Sequence, residues 1–224
     1  MITVMRAAAL AAMAALCLSP STASAFAPPP AVPDTAPIGV AVSLLPVADE
    51  SRAGYDRSLF KHWNAGANPA DGCDTRKEVL IAEAVLAPVV GARCTITGGS
   101  WWSYYDETTV TAAGSLDIDH MVPLAEAWDS GASTWTPARR EAYANDLGQD
   151  TSLVAVTARS NRSKSDQDPA EWLPPSASAL CRYAAEWTAT KLRWNLSVDQ
   201  AEQDRLYFLA AGCTDTTVTW TSAP

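Results

Sequence analysis

Four cysteines remain once the first 25 residues are set aside: Cys73, Cys94, Cys181 and Cys213. An even number of cysteines behind an export signal constrains the fold more than any other feature of the chain. The signal consists of Arg6 as the only charge, an apolar run from Ala7 to Leu18, and the small-residue site Ala23-Ser24-Ala25. That is the basic start, apolar centre and cleavage site of a secretory leader. The run is too short to span a bilayer, and no later stretch is long enough either. Cys17 does not suggest a lipid anchor, because Leu16 stands before it where a small residue is wanted. We therefore expect a signal peptide over residues 1–25, cleavage near Ala25 and a secreted, extracellular chain with two disulfides. Three pairings are open, and the two local in sequence are favoured, Cys73 with Cys94 and Cys181 with Cys213. Each would contribute roughly 3 kcal/mol by limiting the unfolded chain. There is no C-x-x-C spacing, which makes a zinc site a poor alternative.

Residues 26–46 hold six prolines and few large apolar groups, so they read as a flexible lead-in. Residues 47–213 have the composition of one globular domain, followed by a tail over 214–224. The form Thr75-Arg76-Lys77-Glu78 is a capping box, predicting a helix from Arg76 to about Leu86. Alternation from Cys94 to Tyr105 around Gly98-Gly99 predicts a hairpin, with a further short strand over 108–111. Thr136-Pro137 starts a helix running to about Asn145. Leu153-Val154-Ala155-Val156 is a compact strand, and a helix from near Arg159 carries Asn161 and Lys164. Asp168-Pro169-Ala170-Glu171 has the form of a helix start. Two longer helices follow, about 177–194 and 198–211, the second capped by Ser197 with Gln200 and ended by Gly212. A Cys181–Cys213 bond would clip them into an antiparallel pair. The class is α+β.

The chemistry gathers in two stretches. Leu116-Asp117-Ile118-Asp119-His120-Met121-Val122-Pro123-Leu124 holds one of only two histidines, and Asn161-Arg162-Ser163-Lys164-Ser165-Asp166 follows later. A hard divalent cation takes oxygen donors and keeps several waters, so one carboxylate and one amide oxygen suffice. Asp119 and Asn161 can supply them. A neutral histidine near pH 7 is the natural base for an attacking water, which is the role open to His120. Lys164, three residues after Asn161, faces the same way on a helix and could meet a phosphate. One geometric difficulty stands in the way. On a regular strand Asp117 and Asp119 share a face that His120 does not. The strand must end or distort there, and Pro123 favours an irregular exit.

This order, strand with Asp-His, insertion, second strand and helix with Asn-x-x-Lys, resembles the ββα-metal finger of HNH endonucleases. Gly54-Tyr55, His62-Trp63, Cys73-Asp74-Thr75-Arg76, Ala144-Asn145-Asp146-Leu147 and Asp168-Pro169 with Trp172 extend the likeness. With them the chain resembles small exported bacterial HNH proteins, similar to the C-terminal nuclease domain of GmrSD-type restriction enzymes. The resemblance covers about Tyr55 to Cys213. It implies an HNH finger embedded in a single disulfide-stapled domain with a C-terminal helical pair. It also implies His120 as general base, and Asp119 and Asn161 as ligands of one Mg²⁺ or Mn²⁺ ion. Asparagine at the motif's last position suits magnesium better than zinc.

Each residue has a plainer alternative. His120 alone could be a satisfied core histidine, and Asn161 alone a helix cap. Arg162 and Lys164 could be solvated helix charges. Arg76 is a candidate substrate contact, against a structural pair with a carboxylate such as Glu78. His62 reads as structural. The chain has 16 basic and 25 acidic residues, a formal −9 that becomes −10 without Arg6. Nucleic-acid affinity comes mainly from cationic contacts with phosphate, so binding should be weak, salt-sensitive and non-specific. The expected activity is metal-dependent endonucleolytic cleavage of DNA, with RNA as a further substrate, by a monomer. A catalytically silent binding or structural module, and a phosphodiesterase on another substrate, are the competing readings.

Overall fold

The computed structural model describes residues 34–224; the leader and its cleavage site lie outside the described residues. At the centre, strand Leu116–His120 pairs antiparallel with strand Leu153–Thr157, placing Asp119 opposite Val154 and His120 opposite Leu153. The chain then enters helix Ala158–Lys164 directly. The Thr157 side chain caps that helix by accepting from the Ser160 amide at 3.3 Å. Both faces of this ribbon are covered. Leu116, Ile118, Leu153 and Ala155 join Val79, Leu80 and Trp101 in a small core. Val154 and Val156, on the opposite face, enter the main core. Burial on both sides is why 153–156 is a continuous apolar run rather than an alternating one. It also means that Asp117 and Asp119 share the face that turns towards the main core.

The main core rests on the helix pair Leu180–Trp194 and Gln200–Gly212, bridged by Cys181–Cys213. Asn195 in the left-handed region, φ 54° and ψ 48°, ends the first helix. The second is capped by Asp199, which accepts from the Glu202 amide at 2.7 Å. Ser197 does not cap it, because its hydroxyl donates to the Ser130 carbonyl at 3.1 Å. Lys191 lies fully buried under the pair, 2.7 Å from Glu126 and 2.5 Å from Glu202. Cys73–Cys94 ties the start of helix Thr75–Ala82 to the ribbon Val89–Gly91 with Thr95–Thr97. Both bonds are the local pairings, and the class is mixed α and β as expected. Among the described residues no helix is long and apolar enough to cross a membrane.

Three expectations are corrected. The turn at Gly98-Gly99, both at positive φ, closes no hairpin. Thr95–Thr97 pairs back with Val89–Gly91, and Trp101–Ser103 pairs forward with Thr108–Val110. Trp101 decides this: fully buried, with its Nε1 donating to the Leu80 carbonyl at 2.6 Å, it anchors its strand to the small core. Asp168 forms cap bonds to the Ala170 and Glu171 amides at 2.6 and 3.1 Å, yet only a turn follows. Pro174 and Pro175 bar propagation. The lead-in, over its described part, is packed. Asp34–Pro37 pairs with Thr217–Trp220 of the tail, and Ile38, Ala41 and Val42 of helix Ile38–Ser43 enter the core.

Replacing Cys181 and Cys213 together with alanine should therefore lower unfolding free energy by roughly 3 to 4 kcal/mol, from the length of loop released. Urea denaturation of both proteins checks it, and a loss under about 1 kcal/mol would show the helix pair needs no staple.

Candidate functional site

The two polar stretches meet at a cleft of about 290 Å³ lined by Asp119, His120, Asn161, Arg162, Asp166 and Arg57. A hollow of similar size beside Glu78, Glu83 and Leu153 has no histidine or cation in its lining. The first cleft is the one with a base, oxygen donors and positive charge together.

Asp119 is almost sealed, 4 % exposed, on the strand face that meets the main core. Its Oδ2 accepts from Lys164 Nζ at 2.5 Å and from the Tyr105 hydroxyl at 2.6 Å. Lys164 is itself fully buried, and it also donates to the His120 and Met121 carbonyls at 3.1 and 2.7 Å. Burial pushes the Asp119 carboxyl up and the Lys164 ammonium down, and the contact between them opposes both shifts. Three oxygen acceptors around the ammonium satisfy all of its protons. Among the described residues Oδ1 of Asp119 carries no protein donor and remains for the cleft.

The strand ends at His120, and Lys164 holds the two carbonyls at that exit. This resolves the face problem. Asp119 and His120 leave the ribbon on opposite sides, but at its last two positions, where one cleft reaches both. His120 Nε2 lies 3.0 Å from the Ala144 carbonyl, at the end of helix Pro137–Ala144. A carbonyl can only accept, so Nε2 carries the proton and Nδ1 is the bare nitrogen. Trp63 stacks on the ring at 5.4 Å, and Tyr143 lies nearly parallel to it at 6.4 Å. Burial depresses the imidazole pKa to about 3; the charges of His62, Arg57 and Lys164 add to this, and the Ala144 carbonyl opposes it. His120 is neutral throughout the physiological range.

Asn161 Nδ2 points at Asp117 Oδ2 across 3.4 Å, and Arg162 Nε reaches the same oxygen at 3.2 Å. Among the described residues the amide oxygen of Asn161 is left without a protein donor. Arg162 is exposed and stays within reach of a ligand in the cleft. Two candidates take other tasks. Lys164 cannot meet a phosphate, because its ammonium is enclosed and fully hydrogen-bonded. Arg76 donates to the Ala113 and Leu116 carbonyls at 3.3 and 2.9 Å, so it braces the entry to the site strand, and it pairs neither Glu78 nor the cleft. His62 packs edge-on against His120 at 6.2 Å, with Nδ1 2.7 Å from the Phe60 carbonyl.

Tyr105 and Arg57 were not marked as site residues by the sequence, and Ala144 stood only within a motif of the family likeness, with no role of its own. A tyrosine that bonds a carboxylate and a carbonyl that orients a ring carry no local pattern. The insertion that supplies Ala144 is held by Asn145, whose amide bonds the Lys61 and Glu141 carbonyls at 2.9 and 2.8 Å. Asp146 fixes the same corner by two bonds to Arg193, at 2.6 and 2.8 Å.

Lys164→Met should cost roughly 3 to 5 kcal/mol, because it strands a buried carboxylate, whereas Arg162→Gln should cost under about 1 kcal/mol. Chemical denaturation of both variants would refute the assignment if the order reversed. The His120 shift has a defined pH signature. Its folded pKa, about 3, lies below the ordinary value of 6.5, so the unfolded state binds the extra proton between them. Stability from this group is present above pH 6.5 and is lost as pH falls towards 3. His120→Gln should flatten that limb of a Tm-against-pH curve, and an unchanged slope would contradict the buried neutral imidazole.

A sequence model of the GmrSD restriction endonuclease C-terminal domain matches residues 92–207, just over half of the chain. A protein of Arthroderma benhamiae named "Uncharacterized secreted protein" is 40 % identical over 186 residues, covering 83 % of this chain and 89 % of that protein. No solved structure matches the chain. The matched span contains Asp119, His120 and Asn161, while Arg57 precedes it.

Proposed function

The chain belongs to the family of GmrSD restriction endonuclease C-terminal domains, and on that premise we propose that it is an exported, metal-dependent HNH endonuclease hydrolysing DNA. One observation carries the reading: a neutral imidazole, its Nε2 bonded to the Ala144 carbonyl, lines the same cleft as Asp119 and Asn161, which each keep an oxygen without a donor among the described residues. Export is supported by the two disulfides, by the leader pattern and by the relative's name.

The donor set fits a hard divalent cation. One carboxylate oxygen and one amide oxygen suit Mg²⁺ or Mn²⁺, with the remaining positions left to water and phosphate. When bound, such an ion supplies Lewis acidity to the phosphoryl oxygen and offsets charge on the leaving oxygen. The chain's own groups do the rest. His120 Nδ1 takes a proton from the attacking water as its oxygen bonds to phosphorus and the ester P–O bond breaks. The Ala144 carbonyl holds Nε2–H, fixing the tautomer and steadying the imidazolium that forms. Lys164 and Tyr105 fix the Asp119 carboxylate so that Oδ1 keeps its direction. A free-protein pKa near 3 makes His120 a weak base. An anionic phosphodiester in the cleft favours the imidazolium and raises that value in the complex.

The mature protein should nick supercoiled plasmid in Mg²⁺ or Mn²⁺, fall silent in EDTA and recover on adding the metal back. Under the same conditions His120→Ala should cut the rate by roughly 10²- to 10⁴-fold while the fold is retained. Full cleavage in chelator would sink the metal reading, and near-wild-type cleavage by the variant would sink the base.

A further inference from the structure

Arg57 stands on the single 3-10 turn Arg57–Leu59, whose backbone is anchored from both sides. Asp56 caps it by accepting from the Ser58 amide at 2.8 Å. The Phe60 amide donates to the Arg57 carbonyl at 3.1 Å, and the Phe60 ring is fully buried. The turn is thus fixed to the main core, while the Arg57 side chain is exposed and lines the cleft of Asp119, His120 and Asn161.

The neighbouring cations are committed. Lys164 is bound to Asp119, Arg162 to Asp117, and Arg52 to Asp129 at 2.6 Å and Asp166 at 3.5 Å. Among the described residues Arg57 pairs with no carboxylate, in a chain of formal charge −9 where acidic partners are plentiful. A guanidinium left unpaired at the mouth of such a cleft is placed for an anion that comes and goes.

We propose that Arg57 is a substrate-contacting residue that grips the non-bridging oxygens of the phosphodiester under attack, from the wall of the cleft opposite no carboxylate of its own. The proposal rests on the nuclease reading for its consequence in catalysis, but the anion contact itself does not need turnover. In the hydrolytic step the water oxygen bonds to phosphorus and the ester P–O bond breaks. The water proton passes to His120 Nδ1, and the leaving oxygen takes a proton from solvent. Negative charge grows on the non-bridging oxygens as this happens, and a planar fork of N–H donors meets two of them at once. Lysine, a single point charge, would serve less well. The contact also accounts for how an acidic protein holds a polyanion: a few aimed cations in place of a basic face.

The test compares wild type, Arg57→Gln and Arg57→Lys by plasmid nicking across salt concentrations, together with calorimetric binding of a short DNA duplex in EDTA. Arg57→Gln should lower kcat/KM by roughly 10²-fold, as removal of one transition-state donor does. It should also weaken duplex binding and reduce the salt slope by about one unit. Arg57→Lys should recover part of each, and Tm should stay at the wild-type value in both variants. Wild-type kcat/KM, binding and salt slope in Arg57→Gln would overturn the proposal, as would activity lost only in proportion to Tm. If wild type cleaves no nucleic acid with any divalent metal, the nuclease reading falls. Arg57 then stands or falls on the binding arm: weaker binding in Arg57→Gln keeps the anion contact, and equal binding removes it.

Discussion

A lysine with no access to water, bonded to an aspartate that is itself almost sealed, is the contact on which the site is built. Lys164 ends the helix that follows the second strand, and Asp119 is the penultimate residue of the first. Their bond at 2.5 Å closes the strand–strand–helix unit across a long insertion. Two buried charges this close are tolerable only when every proton and lone pair finds a partner. Tyr105 and the carbonyls of His120 and Met121 meet that condition for Asp119 Oδ2 and the ammonium, while Oδ1 is left to the cleft. The arrangement holds the strand exit in an irregular path, which lets neighbouring residues of opposite faces serve one cleft.

The same device recurs under the C-terminal helices, where Lys191 bonds Glu126 and Glu202 without solvent. Glu126 belongs to helix Leu124–Asp129, which follows His120 almost at once. One buried ammonium therefore fixes the strand before the exit, and the other fixes the helix after it. Cys73–Cys94 joins another part of the chain, and Cys181–Cys213 clips the two helices that carry Lys191 and Glu202. Covalent staples limit the unfolded chain, while the ion pairs define the geometry of the cleft.

The acidic balance of the chain takes on a local meaning in this frame. Many of its carboxylates are bound internally: Asp146 to Arg193, Asp106 to Thr157 and Ser160, Asp119 to Lys164. Arg162 and Arg57 are the guanidinium groups that line the cleft, the first paired with Asp117 and the second with no carboxylate partner among the described residues. Positive charge at the cleft is a matter of placement rather than of quantity.

Local chemistry made much of this readable from the sequence. Cysteine count and spacing pointed to both disulfides. The apolar run at 153–156, the Thr136-Pro137 start and the helix expected from near Arg159 pointed to the strand and helices of the site. Asp119, His120 and Asn161 stood out because their donor types match one kind of chemistry. Sequence could not say which of several cations would be buried, because burial depends on what distant segments pack above it. Lys164 and Arg57 differ from their sequence appearance for that reason: the lysine beside the motif is enclosed with Tyr105 and Asp119, and the arginine far from it lines the cleft. The pairing of Thr95–Thr97 and the packing of residues 34–43 against the tail were likewise settled by tertiary contacts. Alternation specifies a strand's two faces, and only the folded chain selects its neighbour.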